Sequence, residues 1–318
     1  SDMNTAVGYQ AGSAVTTGDG NTLFGYQAGL AVTGAGAYNV CLGTQAGLAI
    51  TTGIRNTMVG QAGYQFDTEN DNLAIGHAAL GGVVAGGEFN VAVGNYTLDA
   101  VTSGDINTSV GNKAGSGVTT GSGNILFGHQ AGDYSTALTT GNYNICLGSY
   151  TRTSTNSTSN AIVIGTDIAT VANRVAIGKS GALIYADFAS SATWTQSSDK
   201  RLKDSIEATN IGLDFVNELR PVTYKWKDTT TIPEELTKQK TEVNAKDTET
   251  LQYGLIAQEV KSAMDKVGHD KFTGWDLDED DTQCLREGQF IYPLIKAVQE
   301  LSATVTTLQQ EINTLKGE

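Results

Sequence analysis

The sequence predicts two domains of different class. A mainly β, glycine-rich β-solenoid shaft spans residues 1–197, and an α+β domain spans 198–318, closing with a long coiled-coil helix over 290–317. Three observations carry this reading: an Asn-x-x-x-Gly unit recurring through the first part, an abrupt change of composition near residue 197, and an unbroken heptad spacing near the C-terminus. Residues 1–197 hold 32 of the 38 glycines, no proline and 16 charged side chains; residues 198–318 hold all three prolines and 38 charges.

The repeat is the first element. Asn-x-x-x-Gly occurs at Asn4–Gly8, Asn21–Gly25, Asn39–Gly43, Asn56–Gly60, Asn72–Gly76, Asn90–Gly94, Asn107–Gly111, Asn124–Gly128 and Asn144–Gly148. Two degenerate copies end at Gly165 and Gly178, with Ala161 and Arg174 in the asparagine slot. The glycines are spaced 17, 18, 17, 16, 18, 17, 17, 20, 17 and 13 residues apart. Each unit pairs a three-residue apolar run, such as Thr22–Phe24, with a turn-rich return, such as Thr16–Gly20. Short apolar runs bounded by Asn and Gly read as strands. A strand, a turn and a return in about 17 residues make one coil of a solenoid.

Strand side chains alternate between faces. One set contains Val7, Phe24, Leu42, Val59, Ile75, Val93, Val110, Phe127 and Leu147; the other contains Ala6, Leu23, Cys41, Met58, Ala74, Ala92, Ser109, Leu126 and Cys146. Both sets are largely apolar, so a second face must also be covered, and symmetric copies around a fibre axis would cover it. The asparagines share a face with the smaller set, where stacked amides would form a ladder. The glycines would supply positive φ at a corner or allow close backbone approach.

In the second domain, Ile211, Phe215 and Leu219 have helical spacing over Asn210–Arg220, and Pro221 ends it. Val222, Tyr224 and Trp226 alternate like a strand, Asp228–Thr250 reads as a long exposed loop, and Tyr253–Ile256 leads into a helix over Ala257–Lys266. Ile291, Leu294, Val298, Leu301, Val305, Leu308, Ile312 and Leu315 then follow a 3-4-3-4-3-4-3 spacing, the seam of a parallel self-associating helix.

The net charge of −14 argues against nucleic acid and anionic membrane surfaces. No apolar run approaches the ~20 residues a membrane helix needs, the stretch around Gly81–Gly87 included. Cys41, Cys146 and Cys284 are too few and scattered for a disulfide framework or zinc site; the first two share a repeat slot and read as small buried residues. No cofactor or metal is expected. Asp276, Asp278, Asp280 and Glu287 mimic EF-hand positions, but Asp281 stands where a glycine is needed, so an acidic loop is the better reading. His77 and His129 lie three repeats apart and read as solvent-facing.

Asn-Thr-Ala-Val-Gly-Tyr-Gln-Ala-Gly (4–12) and its copies resemble the head repeats of trimeric autotransporter adhesins and phage tail fibres, which form trimeric β-rolls. Residues 198–318 resemble the intramolecular chaperone autoprotease domain of phage tailspikes and endosialidases. The matching residues are Ser198-Asp199-x-Arg201-Leu202-Lys203, Leu213-Asp214-Phe215, Leu219-Arg220-Pro221-Val222-x-Tyr224-x-Trp226, Gly254-Leu255-Ile256-Ala257-Gln258-Glu259-Val260 and Tyr292-x-Leu294-Ile295-Lys296-Ala297-Val298-Gln299-Glu300-Leu301.

The resemblance implies a homotrimer that templates its own shaft and then cuts at Ser197–Ser198, with Ser198 as nucleophile and Lys203 as general base. Asp199, Lys200 and Arg201 would support the dyad; a nearby cation or desolvation is what lets lysine act as a base. No external substrate is expected. It also implies a virion tail fibre or other extracellular fibre that recognises a host or prey surface receptor, glycan or protein. Two alternatives stay open: a chaperone retained as a permanent trimeric cap or adhesive tip, and a polysaccharide-degrading tailspike whose catalytic part lies upstream. Tyr9, Tyr26 and Tyr38 are turn aromatics available for contact.

Overall fold

A computed structural model describes residues 3–82, 86–188, 191–195 (as backbone), 198–234, 236, 246–278 and 281–317. Ser197, Asp280, the middle of the Gly81–Gly87 stretch and much of the Asp228–Thr250 loop from the readings above lie outside the described residues. The chain forms two compact units, Ser1–Asp199 and Lys200–Glu318.

In the first unit, Asn-x-x-x-Gly leaves three residues between a buried amide and a glycine corner, and those three are the strand of each coil. Strands β1 to β9 are Thr5–Val7, Thr22–Phe24, Val40–Leu42, Thr57–Val59, Leu73–Ile75, Val91–Val93, Thr108–Val110, Ile125–Phe127 and Ile145–Leu147. Successive strands pair in parallel and in register, Leu23 beside Cys41 beside Met58. The two degenerate copies continue the stack as β11 (Ile162–Thr166) and β13 (Arg174–Lys179), making about ten turns over residues 5–179. A minor parallel pair, β10 (Arg152–Thr153) with β12 (Ala169–Thr170), flanks the last coils. The direction then reverses: β14 (Ala182–Asp187) runs antiparallel to β13, and β15 (Ser191–Thr195) antiparallel to β14.

The alternation resolves which face is inside. From the second coil on, the smaller set (Leu23, Cys41, Met58, Ala74, Ala92, Ser109, Leu126, Cys146) is fully buried, joined by Val32, Ile50, Phe66, Val118 and Leu138 from the returns, while Ala6 on the first strand is exposed. Burial in this apolar column pushes the thiols of Cys41 and Cys146 up to about 12. The larger set points outward, with Val7, Phe24, Leu42, Ile75, Phe127, Ile164 and Ile177 exposed on a single chain.

The asparagines close the coils. Asn107 donates from Nδ2 to the Gly121 carbonyl at the return of its own coil (2.9 Å), and its Oδ1 accepts from the backbone N–H of Asn124 in the next (3.0 Å). The same two-way bonding repeats from Asn4 to Asn144, and it ends where the Ala161 N–H donates to Asn144. These buried amides are satisfied by construction, which is what keeps them inexpensive inside a core. The corner glycines, Gly8 to Gly178, stack with φ between +91° and +148°; a Cβ on Gly25 would lie 2.4 Å from the Gly43 carbonyl oxygen. Positive φ and close approach therefore both demand glycine there.

The second unit is small. Helix α1 (Leu213–Glu218) starts later than the periodicity predicts, because Asn210–Gly212 stay irregular, and it stops before Pro221. Strand β16 (Val222–Tyr224) pairs antiparallel with β17 (Gln252–Gly254), so Trp226 lies past the strand. Helix α2 (Ala257–Val267) ends on Gly268 at φ +73°, and a hairpin follows, β18 (Trp275–Leu277) with β19 (Gln283–Leu285). One turn of tighter helix, Glu287–Phe290, leads into α3 (Ile291–Lys316). Phe215, Val260, Ala263 and Met264 form the buried centre, with Phe272 and Phe290 packed on Phe215 at ring-centroid distances of 5.3 and 6.4 Å.

Candidate functional site

The residues proposed for chemistry lie where the two units meet in sequence. Ser198 and Asp199 end the first unit as exposed, irregular chain. Lys200, Arg201 and Lys203 begin the second; Lys200–Leu202 form one tight helical turn, closed by the Lys203 N–H donating to the Lys200 carbonyl at 3.1 Å. Ser197 lies outside the described residues. Residues 201–210 are all exposed on a single chain. A lysine becomes a general base only when desolvation or a nearby cation lets it shed its proton. Lys203 is exposed on a single chain.

Within the second unit the motif residues are tied together. Arg220, one residue before Pro221, forks onto Glu259 of α2, with its Nε 3.0 Å from Oε2, and this holds the Glu259 carboxyl below the usual carboxylate range. Lys266 reaches Glu218 at 2.6 Å, tying α2 to α1. Glu300 on α3 accepts the Leu213 N–H at 2.7 Å; that bond, with Lys296 adding to it, holds the Glu300 carboxyl low. Leu213, Arg220, Glu259 and Glu300 all belong to the quoted motifs, so these stretches clamp the helices together. This role was not legible from their spacing, because the partners are 39 and 87 residues apart in the chain.

The helix seam is bare on a single chain. Ile291, Leu294, Val298, Leu301, Val305, Leu308, Ile312 and Leu315 are between 43 and 86% exposed. At the head of α3, Leu294 also lines an apolar groove with Leu219, Pro221, Val222, Leu255 and Phe290. Among the described residues, no group of His, Cys, Asp and Glu is placed to hold a metal ion, and no helix is long and apolar enough to cross a membrane. Asp276, from the EF-hand-like run, lies in the β18–β19 hairpin and accepts from the Arg286 guanidinium. His77 and His129 are exposed, each packed edge-on against a tyrosine of the next coil, Tyr96 and Tyr150.

Residues 198–269 match the family Peptidase_S74, described as chaperone of endosialidase. No curated protein and no solved structure matches the chain significantly.

Proposed function

We propose that this chain, which carries a chaperone-of-endosialidase domain after a β-solenoid shaft in sequence, belongs to a homotrimeric tail fibre whose chaperone cuts itself off before Ser198. The observation that carries this is where the family match begins: at Ser198, the residue that would become a new N-terminus. Ser198 Oγ attacks the Ser197 carbonyl carbon while Lys203 accepts the hydroxyl proton. The C–N bond breaks, the proton passes to the departing Ser198 nitrogen, and water hydrolyses the resulting ester to a Ser197 carboxylate and a free Ser198 hydroxyl.

Assembly into three chains is supported by two bare apolar surfaces, the outward set on the shaft and the α3 seam. Continuous apolar faces of this length are rarely left to water. Packing of neighbouring chains near Lys203 would supply desolvation, so that cutting waits for assembly. Once released, the chaperone cannot lead the shaft back along its folding route, which traps the fibre kinetically. The fibre would act outside the cell, on a surface receptor of glycan or protein nature, with no nucleic-acid or membrane partner. A second reading, a chaperone kept as a permanent cap, is favoured by the solvent exposure of Lys203.

Denaturing mass spectrometry of freshly expressed protein, beside Ser198→Ala and Lys203→Ala, tests this. Fragments ending at Ser197 and starting at Ser198, absent from both variants, are the expected result. One intact chain in all three samples rejects self-cleavage and leaves the retained cap.

A further inference from the structure

The coil from Gly128 to Gly148 takes 20 residues where its two upstream neighbours take 17. The extra length falls between Gly132 and Leu138. The Leu138 N–H still donates to the Gly132 carbonyl at 2.8 Å, as the Val118 N–H does to Gly115 at 3.0 Å one coil earlier. Leu138 takes the core position of Val118, and the loop Asp133–Ala137 is displaced outward with none of its residues buried. The insertion thus contributes nothing to the core.

What it does contribute is a surface. Tyr134, exposed at the loop, lies against Tyr150 of the following coil with ring centroids 4.7 Å apart. Tyr150 also meets His129 edge-on at 5.2 Å. The Arg152 guanidinium stands 5.4 Å from the Tyr134 ring centre, and its Nη1 is held by the Asp167 carboxylate at 2.9 Å and the Tyr150 carbonyl at 3.2 Å. Among the described residues, the equivalent pair His77–Tyr96 has no further aromatic ring packed on it, and near the N-terminus the same columns carry the amide ladder of Gln10, Gln27, Gln45 and Gln61. The rings are inclined to one another, Tyr134 to Tyr150 by 60° and His129 to Tyr150 by 88°, so they offer an angled apolar corner with a fixed guanidinium–carboxylate pair beside it. That is the complement of a pyranose, whose C–H face stacks on a ring while its hydroxyls bond to charged groups.

We infer that Tyr134, Tyr150, His129 and the Arg152–Asp167 pair form a saccharide-binding subsite on the shaft. This rests on the reading of the chain as a receptor-binding fibre and gives that receptor a chemical class, a surface polysaccharide.

The test applies the intact assembled protein to an array of neutral hexose, N-acetylhexosamine and uronic-acid oligosaccharides, then titrates the best binder calorimetrically. Binding should fall about tenfold or more in Tyr134→Ala. It should vanish on deletion of residues 133–135, which restores the 17-residue spacing and keeps Leu138 in the core. His77→Ala should bind as the parent does. No retained oligosaccharide, or binding that survives the deletion, overturns the inference. Self-cleavage and assembly are read by separate measurements, so their failure is distinguishable from this one.

Discussion

In the shaft, a column of fully buried side chains runs from Leu23 to Cys146 and Val163, and each coil bonds its neighbours through an amide and a glycine corner. In the chaperone unit, the buried centre is Phe215, Val260, Ala263 and Met264, held from outside by ion pairs such as Arg220–Glu259 and Lys266–Glu218. Exposed pairs of that kind contribute little, and a core so small stabilises a unit weakly. The shaft can therefore add stability coil by coil, whereas the chaperone unit leaves the α3 seam exposed on a single chain. Repeated, mutually bonded layers are thus joined in sequence to a unit with a small buried centre.

The comparison breaks first at the glycine corners. Gly111→Ala places a Cβ 2.5 Å from the Gly128 carbonyl oxygen at φ +136°. The expected cost exceeds about 4 kcal/mol, read as loss of protease resistance in the shaft while the chaperone unit keeps its helical signal. Asn107→Ala comes next: it strips the Asn124 N–H and the Gly121 carbonyl of their partners inside the core. A loss of about 2–4 kcal/mol is expected, seen in thermal melting, and an unchanged melt would reject the ladder as a stabilising element.

The smallest effect sharpens the other side. The Glu300 carboxyl is held low by the Leu213 N–H, so its contribution is present above the unfolded value and lost as pH falls through the folded one. Glu300→Gln should flatten the acid limb of the chaperone unit's melting curve, followed by circular dichroism, and move its midpoint by no more than a few degrees at neutral pH. A parallel acid limb in both proteins rules out this linkage.

Much of the shaft could be read in advance because its backbone asks for particular residues at particular places: nothing but glycine fits a stacked corner, and asparagine alone offers a short donor and acceptor for both neighbours. Other features left no trace. Tyr38, Phe89, Ile106 and Tyr143 all sit at φ near +57° just before an asparagine, a conformation their side chains disfavour and do not advertise. The reversal after Gly178 carries no motif of its own: Ala182–Asp187 lacks the Asn-x-x-x-Gly unit, and its direction shows only in its antiparallel pairing with β13. The acidic run at Asp276 read as loop, yet Trp275 and Leu285 zip it into a hairpin. At the junction, residue types suggested chemistry, but a lysine's usefulness as a base depends on its surroundings, which a linear order of residues does not specify.

The reversed strand β14 also carries a consequence for reach. A stack of parallel layers presents the same open edge after every layer, so nothing within a layer says how many there should be. The antiparallel turn at Gly181 is a terminator placed once, at the far end, and independent of the count before it. Each coil advances the edge by about 4.8 Å. Duplication or loss of a whole coil upstream would therefore change the distance spanned without disturbing the end that closes it, making length a quantity that evolution can tune in fixed increments.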